Sequence, residues 1–191
     1  MKNENYSITY DILKSILYQV VFIVIILAFV CRLAVVDGSS MSKTLEDNDV
    51  VLVTNYQSYF NYIPQLKLKQ GDVVAVAPDK NSDNQYKVDN AFIKRVIAVE
   101  GQTIGFDEEN SKVYVDGKII DEPYLSSETF SGVDWDIPDV IPPNKVFVMG
   151  DNRAVSVDSR SVRIQLVDEK NIIGKVQFIV YPFDKLSYIY E

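Results

Sequence analysis

Two patterns of hydrophobic positions follow one another along the chain. From Ser15 to Cys31 the residues read SILYQVVFIVIILAFVC, uncharged and broken only by Gln19, and after Arg32 the apolar run resumes as Leu33-Ala34-Val35-Val36. An uncharged stretch of roughly 17 residues is at the short end of a spanning helix, and a flanking arginine can snorkel to lengthen it. Each Ile, Val, Leu or Phe favours insertion by roughly 0.3–0.6 kcal/mol at a helix centre. The stretch is long for the core of a cleaved leader, and no A-x-A site follows it. The pattern predicts an N-terminal tail at 1–14, a retained transmembrane anchor at 15–36 and a folded domain at 37–191. Flanking charge does not orient the anchor, since Lys2 and Lys14 precede it and Arg32 and Lys43 follow.

Beyond Val36 the pattern turns to short runs of β-branched and aromatic residues. Val50-Val53, Val73-Ala77, Phe92-Val99, Val113-Val115, Val146-Met149 and Val176-Tyr181 read as strands. Asp116-Gly117, set between Tyr114-Val115 and Lys118-Ile120, is a hairpin turn signal. The polar segments Asp79-Asn90 and Ser126-Pro138 read as loops, with Trp135 at the base of the second, and Phe178-Tyr190 reads as a closing strand. No long stretch of helical period follows the anchor. The fold expected is therefore mostly β: an N-terminal transmembrane helix followed by an all-β, mainly antiparallel domain.

Composition narrows the chemistry. The chain has 191 residues, a formal net charge of −8, no histidine and one cysteine, Cys31. The acidic balance argues against nucleic acid as a partner. Without histidine there is no Ser-His-Asp triad, no Cys-His dyad and no His-ligated zinc, and one cysteine forms neither an internal disulfide nor a metal cluster. No metal and no cofactor is expected. Hydrolysis would have to use Ser, Thr, Lys, Asp, Glu or Tyr.

Three stretches carry the chemical signal: Asp37-Gly38-Ser39-Ser40-Met41-Ser42-Lys43-Thr44-Leu45, Phe92-Ile93-Lys94-Arg95-Val96-Ile97, and Gly150-Asp151-Asn152-Arg153 with Ser156-Val157-Asp158-Ser159-Arg160. Singly they read as a linker, a solvated strand face and a turn. Together and in order they resemble the bacterial type I signal peptidases, membrane-anchored Ser/Lys proteases that cut leader peptides from exported proteins. The resemblance runs from the anchor to the C-terminus. It includes the G-x-S-M motif, Gly71-Asp72-Val73-Val74, the K-R-V-I box at Lys94, the VYVDGKIIDEPYL segment from Val113 to Leu125, and the G-D-N-R-x-x-S-x-D-S-R signature from Gly150 to Arg160. The short spacer between the Lys94 and Gly150 boxes is similar to the compact Gram-positive form.

The resemblance implies the following roles. Ser40 is the nucleophile and Lys94 the general base. Ser156 hydrogen-bonds and orients the lysine, Asp158 and Arg160 form a supporting ion pair, and Arg153 has a similar structural role. Val36 and Ile93 line small pockets that admit residues such as Ala. Gly38 leaves the oxyanion hole to backbone N–H groups, chiefly that of Ser40. Partners would be signal-peptide-bearing precursors and the lipid bilayer, with the N-terminus cytoplasmic and the catalytic domain outside the cell membrane. Lysine acts as a base only when neutral; from a pKa near 10.4, neutrality at pH 7 costs about 4–5 kcal/mol. Burial among Phe92, Ile93, Val96 and Ile97 would lower that cost. The chain departs from the family pattern at Lys43, where proline is usual, at Glu100-Gly101-Gln102, and at Ser161-Val162-Arg163.

Two other readings stand beside this one. Ser40-Met41-Ser42-Lys43 fits S-x-x-K and Ser82-Asp83-Asn84 fits S-D-N, both signatures of penicillin-interacting enzymes, but K-T-G is missing. A catalytically weak, signal-peptidase-like domain that binds exported chains is the non-enzymatic alternative.

Overall fold

The computed structural model describes residues 2–55, 67–77, 91–126 and 132–190. The chain divides into two units, Met1–Arg32 and Leu33–Glu191. The first is a single helix, α1 (Lys2–Val30). Many of its described apolar side chains, among them Ile16, Leu17, Val20, Phe22 and Val24, are at least half exposed. Among the described residues no helix is long and apolar enough to cross a membrane; the side chains of Ile26, Ala28 and Phe29 lie outside them. The helix also ends earlier than the hydrophobic run. Cys31–Val35 form strand β1 rather than the last turn of an anchor reaching Val36. The cause is local: Arg32 interrupts the apolar run, and the residues after it alternate, with Leu33 and Val35 outward and Ala34 against the core. Val36 is tied by its main chain to Asn48 and Asp49.

The second unit is mostly antiparallel β. Its strands are β2 (Val50–Thr54), β3 (Val73–Val76), β4 (Phe92–Ala98), β5 (Ile104–Asp107), β6 (Lys112–Val115), β7 (Lys118–Ile119), β8 (Lys145–Met149), β9 (Val167–Asp168), β10 (Ile172–Tyr181) and β11 (Ser187–Tyr188). The large sheet runs β1-β2-β10-β3-β4-β8-β9, with β11 beside β10, and a second sheet runs β5-β6-β7. Strand β10 pairs antiparallel with both β2 and β3. Each of the six β-branched runs forms a strand. Val113-Val115 lies in β6, and Asp116-Gly117, both at positive φ, turns the chain into β7. Val176-Tyr181 is the second half of β10. The expected closing strand Phe178-Tyr190 is instead two strands, β10 and β11, separated by a 3-10 turn at Phe183–Lys185. Residues 79–90 lie outside the described residues. In the loop 126–138, also described only in part, the Trp135 indole N–H donates to the Ser159 carbonyl at 2.7 Å.

Strand β4 has neighbours on both sides, β3 and β8, and is buried from Lys94 to Ala98. A central strand of this kind ordinarily carries an unbroken apolar run. Here Lys94 and Arg95 interrupt it while 4% and 5% exposed. Two adjacent buried cations in a central strand mark the place where the fold holds charge against the hydrophobic trend.

Candidate active site

Ser40 opens a turn after β1. Gly38 supplies the left-handed backbone at φ 90° and its N–H donates to Asp47. Ser42, Thr44 and Leu45 close the turn through N–H bonds to the Ser39 and Met41 carbonyls, with Met41 and Leu45 buried in the core beneath. The turn is held against the segment after β8. Asn152 donates its backbone N–H to the Ser40 carbonyl at 3.0 Å and its side-chain amide to the Ser39 carbonyl at 3.2 Å. Among the described residues the Ser40 N–H has no protein acceptor.

Lys94 reaches this turn from β4, where it sits opposite Val74. Its Nζ lies 2.7 Å from Ser40 Oγ and donates to the Ile93 carbonyl at 3.0 Å. The Phe92 ring lies on the same strand face, 5.6 Å from Nζ. The side chains of Val96 and Ile97 pack in the hydrophobic core. Burial lowers the Lys94 pKa from 10.5 to about 8; the nearby carboxylates of Asp158 and Asp151 oppose the shift and Arg160 adds to it. At a pKa of about 8, roughly a tenth of the amines are neutral at pH 7, and neutrality costs about 1.4 kcal/mol rather than the 4–5 of a solvated lysine.

The signature loop after β8 supports this pair. Asp158 accepts the Gly150 N–H at 2.9 Å and two guanidinium bonds from Arg160, whose Nη2 also donates to the Arg153 and Ser156 carbonyls. Arg153 is buried and bonds Glu122 and the Gly150 carbonyl. Arg153, Asp158 and Arg160 therefore brace the loop that carries Asn152. Ser156 differs from the expectation. Its buried Oγ has no hydrogen-bond partner, so no bond orients Lys94 from that side. It packs against Gly150, at which a Cβ would lie 2.6 Å from the Ser156 Cβ. Val36 is buried in the cluster that also holds Met41 and Leu45, and Ile93 packs against the same cluster.

Several structural partners were not singled out by the sequence reading. Arg95 makes a two-point ion pair with Asp151, at 2.8 and 2.7 Å, donates to the Gly71 carbonyl and to Thr44, and stacks on the Tyr124 ring at 3.9 Å. Thr44 donates to Asp151. The Tyr124 hydroxyl bonds Glu122, and burial raises its pKa far above the ordinary phenol value. Arg95, Glu122, Tyr124 and Asp151 lie within the K-R-V-I, E-P-Y-L and G-D-N-R motifs, so the signal was present without an assigned contact. Lys43, the lysine of the S-x-x-K reading, does not approach Ser40: its Nζ donates to the Pro123 and Leu125 carbonyls. The residues after Ser40 form turns rather than the helix that reading requires, and Ser82-Asp83-Asn84 lies outside the described residues. Among the described residues no group of three or more His, Cys, Asp or Glu is placed to hold a metal.

The family described as signal peptidase, peptidase S26, matches residues 9–181. Signal peptidase I S of Bacillus subtilis is 34% identical over 97% of this chain and 98% of its own. Signal peptidase IB of Staphylococcus aureus is 35% identical over 91% of this chain and 90% of its own. A crystal structure of a signal peptidase I from Enterococcus faecalis superposes with a TM-score of 0.46 at 23% identity, covering 57% of this chain and 96% of that one.

Proposed function

The chain belongs to the signal peptidase family, peptidase S26, and from that premise we propose that Ser40 and Lys94 are the pair with which it cuts. It is a serine endopeptidase that removes signal peptides from precursor proteins. The observation that carries the assignment is the 2.7 Å contact between a buried lysine and a serine hydroxyl. In its neutral form Lys94 accepts the Ser40 proton as Oγ attacks the scissile carbonyl. The ammonium so formed donates that proton to the leaving amine. Water then attacks the acyl-enzyme, with Lys94 again as base. The unpaired Ser40 N–H is available to the developing oxyanion.

Arg153, Asp158 and Arg160 hold the Gly150–Asn152 loop against the nucleophile turn, and Ser156 fills space beside Gly150. Val36 and Ile93 back the turn from the core, and their bulk restricts the adjoining subsites to small side chains such as Ala. For residues 15–30 the reading is an anchor, with 1–14 in the cytoplasm, the chain from β1 onward outside, and the protein single-pass in the cell membrane. Support comes from the uncharged sequence of Ser15–Cys31 and from apolar side chains exposed all round the helix, a pattern at odds with water on every face. The test is to incubate the full chain with a leader-bearing precursor and read the new N-terminus by mass spectrometry. A new terminus following a small residue is expected; an intact precursor would sink the reading.

A further inference from the structure

We infer that Lys43 is a positioning residue for Ser40, clasping the nucleophile turn to the Pro123–Leu125 segment. The inference rests on the reading of Ser40 and Lys94 as the reacting pair. Lys43 Nζ donates to the Pro123 carbonyl at 2.6 Å and to the Leu125 carbonyl at 3.1 Å. Other lysines of this unit, Lys145, Lys175 and Lys185, pair with carboxylates; among the described residues Lys43 has none within ion-pair range. Its amine therefore spends its hydrogen bonds on neutral backbone that is distant in sequence and adjacent to the site.

The segment it grips is itself tied to the base. Tyr124 stacks on Arg95, the neighbour of Lys94 in β4; Glu122 pairs with Arg153; and the Ser126 N–H donates to the Asp151 carbonyl. Contacts thus close a ring from Ser40 through Lys43, Pro123–Leu125, Tyr124 and Arg95 to Lys94, and from Lys94 Nζ back to Ser40 Oγ. Lys43 is the member of the ring that joins the turn to the segment. Its backbone makes the same point. At φ 80° it occupies the left-handed region, which costs an L-residue roughly 1–2 kcal/mol and which glycine or asparagine would enter more readily. Proline, with φ fixed near −65°, has no access to it. A lysine held there retains a strain that its side-chain bonds offset.

The test uses the full chain and a leader-bearing precursor, with kcat and KM measured for wild type, Lys43→Gly, Lys43→Asn and Lys43→Arg beside thermal melts. Gly and Asn accept positive φ, so they remove the amine without adding strain. Both are expected to lower kcat by roughly tenfold, below the hundredfold a 1 Å misplacement can cost, with KM and Tm unchanged. Lys43→Arg, which keeps donors on a long stem, is expected to recover part of the loss. The proposal is overturned if the Gly and Asn variants keep the wild-type kcat, or if KM alone rises, the mark of a substrate contact. A kcat loss matched by a lower Tm, or an Arg variant no better than Gly, also overturns it. Ser40→Ala separates the two readings. If wild type cleaves and Ser40→Ala does not while Lys43→Gly is fully active, only the clasp fails. If wild type and Ser40→Ala behave alike, the Ser40–Lys94 reading fails with it.

Discussion

Gly150 lies so close to Ser40 that a Cβ on it would stand 2.5 Å from the Ser40 carbonyl oxygen. The same Cβ would collide with the Ser156 side chain. Gly150 is therefore required by the approach of the signature loop to the nucleophile turn, since its φ is not in the left-handed region. Gly150→Ala should push the Ser40 backbone away from Lys94. Cleavage is expected to fall by roughly a hundredfold, the cost of misplacing reacting atoms by about 1 Å. Steady-state cleavage of a leader peptide checks this; an alanine variant with wild-type kcat would show that the turn can retreat without consequence.

Ser156→Ala should have a small effect. Its Oγ is buried without a hydrogen-bond partner, so the substitution removes a desolvated hydroxyl and leaves nothing else unpaired. The variant is expected to melt at or above the wild-type temperature and to retain activity within about tenfold, whereas loss of a general base costs roughly 10²–10⁴-fold. Thermal melts and initial rates decide. A Ser156→Ala rate as low as that of Lys94→Ala would mean that Ser156 bonds the amine in the working enzyme.

Lys94→Met should remove activity yet stabilise the protein near neutral pH. The folded-state pKa of about 8 lies below the unfolded value, so the folded protein disfavours the proton. The penalty is absent above the unfolded pKa, grows as pH falls toward 8 and is constant below it. For a shift from 10.5 to about 8 it amounts to about 3 kcal/mol, from which the lost bond to the Ile93 carbonyl must be subtracted. Melts of both proteins between about pH 7 and 10.5, the reference lysine range, should show Lys94→Met ahead at pH 7 and the gap closing as pH rises. A variant less stable at every pH would identify Lys94 as a paired structural lysine.

Topology has its own check. With 37–191 outside the membrane, protease added to sealed cells should reach the 126–138 loop. Digestion only after lysis would place the domain in the cytoplasm.

Much of this fold was legible because each predicted strand is a β-branched run bounded by turn residues. What escaped has physical reasons. Residues 31–35 read as anchor because a β-strand of Leu, Ala and Val is as apolar as a membrane helix. The first half of β10 was missed because Gly174 and Lys175 break its apolar run. Yet Gly174 is required there, since a Cβ would collide with the Thr54 carbonyl across the β10–β2 pair. Strand β5 is short and contains Gly105. At the site, Ser40 and Lys94 came from motif resemblance and are in contact. The Arg95–Asp151 pair, which spans 56 residues, left no local pattern. The bond expected between Ser156 and Lys94 is absent from the structure because Ser156 packs beside Gly150 without a partner.

The central claim is that Lys94 is the base that activates Ser40, and the pH dependence of kcat/KM on a leader peptide tests it most directly. That quantity reports ionisations of the free enzyme. The chain has no histidine, the side chain whose ordinary pKa falls between about pH 5 and 8. With Lys94 at about 8, kcat/KM should rise about tenfold per pH unit on the acid side, bend near pH 8 and level above it. A profile flat from about pH 6 to 10, across both the lowered and the ordinary lysine pKa, would contradict the assignment.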